Sequence, residues 1–286
     1  MKLTDIPVLY INLDRDTNRK KILEKDLKKL GMNYQRISAV YGKNLRNVSY
    51  RNKIARQLGV HPTKLQPKYW FDRRNFKSMS NNENNILSRV GCYLSHLLSV
   101  KYCLDNNLDK VIIFEDDACP LINFYDEVQI PKNTDILYLG GFFVKGDFYN
   151  DTYKSPIIKI KIDEFKLAGA YAYLLPNRQS MKNVYNVFMS VFLNGPGKDK
   201  SPSAKTGTVR LRATTADYML INFFQKNDNS NAYILNPVRV ATREFSSNIT
   251  NNRKHYQLSS FLNQKHRYML TGTQEDFNGI MKIGNK

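Results

Sequence analysis

PVLYINLDRDTNRKKILEKDLKKLGMNYQRISAV (Pro7–Val40) holds two short runs of strand formers separated by one helical pattern. Pro7–Leu13 is apolar and rich in Val, Leu, Tyr and Ile, and it gives way to polar Asp14–Thr17. Ile22, Leu23, Leu27 and Leu30 then recur at helical spacing, and Gly31 supplies the stop. Tyr34–Val40 reads as a second strand, closed by the turn residue Gly42. A strand, a helix and a strand in that order predict an α/β sheet with right-handed crossovers.

The same reading extends along the chain. Arg51–Gly59 reads as a short helix, and Lys64–Asn85 as a polar, irregular excursion carrying Trp70, the one tryptophan. Leu87, Val90, Leu94, Leu97, Leu98 and Leu104 keep an apolar stripe on a long helix that runs from Leu87 to Asn106. Val111–Phe114 is too short for a helix and continuously apolar, which predicts a buried central strand; Asp135–Gly141 and Ala170–Leu175 repeat the pattern. Further helices are expected over Asn177–Leu193, capped by Asn177, and over Thr214–Gln225, with a strand over Ala232–Val240. Gly195–Gly207 is almost without apolar residues and reads as a mobile loop, and the chain beyond Thr250 is a polar tail.

A chain of 286 residues, 42% hydrophobic and 24% charged, can bury a sizeable single core. No run approaches the roughly 20 apolar residues that span a bilayer. Ile6–Leu13, between Asp5 and Asp14, is too short for a leader, so no transmembrane segment is expected. Cys92, Cys103 and Cys119 are odd in number and form no C-x-x-C pair, which fits buried thiols in a reducing compartment. The expected location is the cytoplasm (bacterial, or the host cytoplasm or a virion if the source is viral). Lys and Arg exceed Asp and Glu by 19, but they are dispersed rather than gathered on one element. With Asn-rich stretches such as Asn81–Asn85, this reads as A/T-rich codon usage and predicts no specific nucleic-acid partner.

VIIFEDDA, Val111 to Ala118, is the sharpest chemical feature: a buried strand ends in Glu115, Asp116 and Asp117. Ligands of open α/β sheets bind beyond the carboxyl ends of the strands. Carboxylates crowded there raise one another's pKa unless a cation neutralises them. Oxygen ligands suit hard divalent ions such as Mn²⁺ or Mg²⁺, which can bridge to a diphosphate; the alternative is an acidic turn in solvent. Asn12-Leu13-Asp14-Arg15, with Arg19 one turn on, places arginines at a helix start, where anions are favoured. In GCYLSH (Gly91–His96), His96 shares a helix side with Cys92 and Ser99, as a bonded core residue or as part of a ligand site. Gly195-Pro196-Gly197-Lys198 lacks Walker spacing, and no nucleophile elbow supports Ser-His-Asp catalysis.

In order along the chain, VLYINLDRDTNRK, AVYGKNL, GCYLSHLLSV, VIIFEDDA, DILYLGG, GAYAYLL, TTADYML and NPVRVATREFSSNI resemble glycosyltransferase family 25, over roughly Val8 to Ile249. That family includes lipopolysaccharide-type galactosyl- and glucosyltransferases and domains of procollagen galactosyltransferases. The resemblance implies a GT-A-like α/β domain over residues 1–250, with a mixed, mostly parallel central sheet flanked by helices and a C-terminal extension over 251–286. It implies transfer of a hexose, glucose or galactose, from a UDP-sugar to a hydroxyl of a glycan, lipid-linked glycan or protein acceptor. Mn²⁺ or Mg²⁺ and inversion at the anomeric carbon go with it. By position, Asn12, Arg15, Arg19 and Gly42 would flank the nucleotide, and His96 is counted with these cofactor-binding residues. Glu115 and Asp117 would hold the metal, while Asp217, with Asp116 as the second choice, would be catalytic. The competing expectation is an inactive relative that binds a nucleotide or glycan as an interaction module.

Overall fold

The computed structural model describes residues 1–70, 83–145, 155–161, 166–194, 215–225, 230–236 and 238–243. Its strands are β1 (Val8–Asn12), β2 (Tyr34–Ser38), β3 (Val111–Glu115), β4 (Ala118–Pro120), β5 (Ile136–Tyr138), β6 (Phe142–Lys145), β7 (Ile157–Lys159), β8 (Lys166–Ala168), β9 (Ala172–Leu175), β10 (Ala232–Leu235) and β11 (Val240–Thr242). Its α-helices are α1 (Thr17–Lys29), α2 (Val48–Leu58), α3 (Pro67–Trp70), α4 (Glu83–Asp105), α5 (Arg178–Asn194) and α6 (Ala216–Leu220).

All five residues of β1 are buried, which only a strand covered on both faces can achieve. It lies between β2 and β3, parallel to both, as the opening strand–helix–strand pattern requires. The crossover α1 turns Leu23 and Leu27 inward with no exposure at all, and Gly31 ends the turn at φ +66°, where a side chain would be strained. The central sheet runs β2-β1-β3-β9-β5-β10-β7. Only β9 and β7 oppose the common direction, so the sheet is mixed and mostly parallel, with helices packed on it. This is the α/β fold expected of a GT-A-like domain.

The alternation of side chains along β3 has consequences beyond the strand. Val111 and Ile113 join Leu9, Ile11, Tyr173 and Leu175 under α4 and α5, against Leu94, Leu97 and Phe188. Ile112 and Phe114 face the other way, with Val8, Tyr10 and Leu174, against Leu23 and Leu27 of α1 and Phe124. Burying each such side chain contributes about 1.5–3 kcal/mol. The same period of two sends Glu115 toward α4 and Asp116 toward α1.

Several elements depart from local expectation. Trp70 lies not in an irregular excursion but in the short α3, fully buried against Tyr69, Tyr93 and Phe192, because its ring fills the gap between α4 and α5. Helix α4 starts at Glu83, ahead of its apolar stripe. The expected strand over 232–240 is two strands in different sheets, β10 and β11, since β11 leaves to pair with β4 beside the acidic turn. The expected helix over 214–225 is α6 followed by a wider π turn over Ile221–Gln225. The expected loop over 195–207 and the tail beyond 250 lie outside the described residues.

Two glycines join the halves of the domain. A Cβ on Gly91 of α4 would stand 2.4 Å from the Val40 carbonyl oxygen, and one on Gly42 would stand 1.6 Å from that of Leu87. The segment after β2 therefore rests directly on the backbone of α4.

Candidate active site at the carboxyl ends of the parallel strands

Asn12 closes β1 and Asp116 follows β3, both on the α1 side of the sheet. The buried Asn12 amide donates to Asp116 Oδ2 at 2.8 Å and to the Asp16 carbonyl at 3.1 Å, and its Oδ1 accepts from Arg36 Nε at 3.0 Å. Arg19, one turn into α1, donates to Asp116 Oδ1 at 2.8 Å. Both oxygens of Asp116 are thus bonded within the protein. Burial raises its carboxyl, and Arg19 and Asn12 oppose the rise. Asp116, expected as a second catalytic candidate, ties β1, β3 and α1 together, and Arg19 is committed to it.

Glu115 points the other way. Its Oε1 lies 3.1 Å from His96 Nε2, while His96 Nδ1 lies 3.0 Å from the Tyr173 hydroxyl. His96 has no exposed surface, so it can influence a ligand only through what it touches. Cys92, one turn earlier on α4, brings its sulfur within 4.8 Å of ligand atoms of His96 and Glu115. Burial, followed by Glu115, Asp217, Asp117 and Asp116 in that order, pushes its thiol well up. Within this trio the hydrogen bond joins His96 and Glu115, and the protonated Cys92 thiol lies beside them.

Asp117 is the unsatisfied member. It is partly exposed, yet its Oδ1 is enclosed and has no hydrogen-bond partner among the described residues. Burial first, then the charges of Glu115 and Asp116, raises its carboxyl to about 8, and Arg19 offsets part of this. The turn is held from behind by Arg243, whose backbone N–H donates to the Asp117 carbonyl at 2.7 Å. The Arg243 guanidinium bonds the Ala118 carbonyl and the Asp26 carboxylate of α1.

Asp217 arrives from the far end of the chain in the first turn of α6. Its Oδ1 accepts from the Tyr218 N–H at 2.9 Å, and Thr215 at the N-cap makes no side-chain capping bond. Its charge reaches the thiol of Cys92, as those of Glu115 and Asp117 do, and the phenol of Tyr138.

Past the ends of β1 and β2 lies a pocket of about 240 Å³ whose lining includes Asp14, Arg15, Ser38, Tyr41 and Lys53. Arg15 sits 4.4 Å from the Tyr41 ring centroid and donates to its hydroxyl at 2.9 Å. Asp14 accepts from Arg36, which lowers its pKa most, and from Ser38 at 2.9 Å. Gly42, expected beside the nucleotide, is buried against α4 and positions this wall by close packing.

The structure therefore brings Asn12, Arg19 and Asp116 into one clamp and Glu115, Asp117 and His96 together at the end of β3, with Asp217 acting on the same Cys92 thiol and Arg15 lining the pocket beyond β1 and β2. Sequence reasoning missed Arg36, Tyr173 and Arg243. A charged residue inside a strand pattern was the available signal for Arg36, and a phenol in a fully buried strand was the signal for Tyr173.

Comparison with known proteins bears on the family of the chain, not on the roles of single residues. The family model described as "Glycosyltransferase family 25 (LPS biosynthesis protein)" matches residues 5–185, a span that contains the clamp, Glu115 to Asp117, His96 and Tyr173 but not Asp217. A stretch of 147 residues, 49% of this chain, is 28% identical to procollagen galactosyltransferase 1-A of Xenopus laevis. It covers 22% of that protein's length. Among the described residues, no helix is long and apolar enough to cross a membrane.

Proposed function

Because the chain belongs to glycosyltransferase family 25, we propose that it transfers a hexose, glucose or galactose, from a UDP-sugar to a hydroxyl of a glycan, lipid-linked glycan or protein acceptor. The observation that carries this reading is the enclosed Asp117 oxygen, without a partner among the described residues, beside Glu115 and Asp116. Like charges this close disfavour the ionised form of a buried carboxylate beyond what Arg19 offsets, and a further cation restores it. The all-oxygen set of Glu115 and Asp117 fits Mn²⁺ or Mg²⁺. Such an ion, when bound, supplies charge neutralisation for the departing nucleoside diphosphate.

The protein's own residues do the rest. The pocket beyond β1 and β2 receives the nucleoside, with Tyr41 and Arg15 at its wall, and the Arg15 guanidinium can bond phosphate oxygens. The acceptor oxygen forms its bond to the anomeric carbon as the bond from that carbon to the diphosphate oxygen breaks. Attack from the opposite face inverts the centre. Asp217 takes the proton of the acceptor hydroxyl. Asp116, with a bond on each oxygen, and Arg19 hold the carboxylates in register.

The test is thermal stability with UDP and each UDP-hexose, with and without Mn²⁺. At about 100 times its dissociation constant a ligand adds roughly 2.7 kcal/mol, on the order of 5–10 °C for a chain of this size. The shift is expected only when metal is supplied. No shift with any uridine nucleotide in the presence of metal removes the donor assignment. Binding without turnover of any acceptor makes the chain a binding module instead.

A further inference from the structure

The geometry points to Tyr173 and His96 as positioning residues: a neutral, two-bond strut from β9 through α4 that holds the Glu115 carboxylate inside the acidic centre. Its link to metal affinity rests on the function proposed above; its hydrogen-bond direction does not.

Glu115 is the member of the centre with reason to leave. Its side chain is 29% exposed, and the Asp116 and Asp117 carboxyls crowd it. A free carboxylate under those conditions rotates toward water. What opposes rotation, among the described residues, is the side-chain hydrogen bond from His96 Nε2 to Glu115 Oε1 at 3.1 Å. A carboxylate oxygen only accepts, so Nε2 carries the hydrogen. In a ring carrying one hydrogen the other nitrogen is then a lone pair that needs a donor, and the Tyr173 hydroxyl stands 3.0 Å from it. Burial keeps that phenol protonated, so it can donate. The order is Tyr173 O–H to Nδ1, then Nε2–H to Glu115.

Each member is held by a different element. Tyr173 lies opposite Ile113 in the β9–β3 ladder and opposite Tyr138 in the β9–β5 ladder, fully buried. Its ring stacks on His96 at 5.8 Å and 26°. His96 cannot swing without emptying buried space. A neutral donor also suits the task better than Lys or Arg, because a fixed cation would cancel the field that draws in a divalent ion. The strut thus assembles the carboxylates before the ion arrives, and partners of this kind typically change metal affinity about 10–100-fold.

The experiment uses the full chain with Mn²⁺ alone, followed by the paramagnetic resonance signal of free Mn²⁺, beside ¹⁵N NMR of the histidine ring. Wild type is expected to show His96 protonated at Nε2, and Tyr173→Phe to disturb that tautomer. His96→Leu should weaken Mn²⁺ binding about 10–100-fold, and His96→Gln, whose amide nitrogen replaces Nε2–H, should restore most of it. Tyr173→Phe should fall between, and its small change guards against a His96→Leu chain that fails to fold. A ring protonated at Nδ1 overturns the strut, as does unchanged Mn²⁺ affinity in folded His96→Leu and Tyr173→Phe. If wild type binds no Mn²⁺, the proposed function fails, and the ring tautomer with its response to Tyr173→Phe decides the strut by itself.

Discussion

At the scale of single residues, three consecutive acids have three different fates. Asp116 has both oxygens bonded, Glu115 has one bonded to a buried imidazole, and Asp117 keeps an enclosed oxygen with no partner. Asp117→Asn should therefore remove metal-dependent UDP stabilisation while the chain stays folded. The pH dependence has a definite sign. Without metal, the folded Asp117 carboxyl is raised from its ordinary 3.8 to about 8. The folded state then binds the proton more tightly than the unfolded state. That contribution is fully present below about pH 4 and is lost as pH rises toward about 8, so metal-free stability falls across this window. Mn²⁺ should reverse the fall and Asp117→Asn should flatten it, both readable as melting temperature against pH. If Asp117→Asn unfolds the chain, the carboxylate is structural. Asp217→Asn should lower turnover about 10²–10⁴-fold with UDP-sugar affinity nearly unchanged. If turnover per folded molecule stays near normal, Asp217 merely favours the helix dipole at the start of α6.

At the scale of elements, the packing of the segment after β2 on α4 positions the pocket wall that carries Tyr41 and Asn44. Gly91→Ala places a methyl group 2.4 Å from the Val40 oxygen and 2.7 Å from the Gly42 nitrogen, both backbone atoms that cannot simply rotate away. Overpacking of this kind costs about 1–3 kcal/mol. The displaced segment carries Tyr41 and Asn44 of the pocket, so donor affinity should weaken together with stability. Gly31→Ala is the control: its Cβ has open space but its φ of +66° is strained, at a cost of roughly 1–2 kcal/mol. Gly31 lies beyond the far end of α1 and should leave donor affinity alone. Equal donor affinity in wild type and folded Gly91→Ala would separate the pocket from this contact.

At the scale of the molecule, a formal charge of +19 surrounds a centre made of carboxylates. The long-range field attracts anions in general, while the local field at Glu115–Asp117 is negative. Dispersed Lys and Arg should give weak nucleic-acid binding that disappears near physiological salt, because counterion release makes such binding fall steeply with ionic strength. Electrophoretic mobility of random duplexes at low and physiological salt checks this. Sequence-preferring binding that survives physiological salt would assign the charge a different purpose.

The amino-acid sequence by itself determined the β1–α1–β2 opening, the buried strand of Val111–Phe114 and its acidic end, because periodicity and turn residues act over a few neighbours. The alternation of β3 carries into its acidic end, where Glu115 and Asp116 face opposite ways. Which helix each would meet was a tertiary decision: Arg19 and Asp116 are 97 positions apart, and His96 and Tyr173 are 77. Nothing local announces such pairs. The antiparallel entry of β9 between β3 and β5 brings Tyr173 to His96. The departure of β11 to β4 brings Arg243 behind Asp117. Residue types named the chemistry of the centre, whereas long-range strand pairing, which depends on how the whole chain shares out its apolar surface, chose the groups that hold it in place.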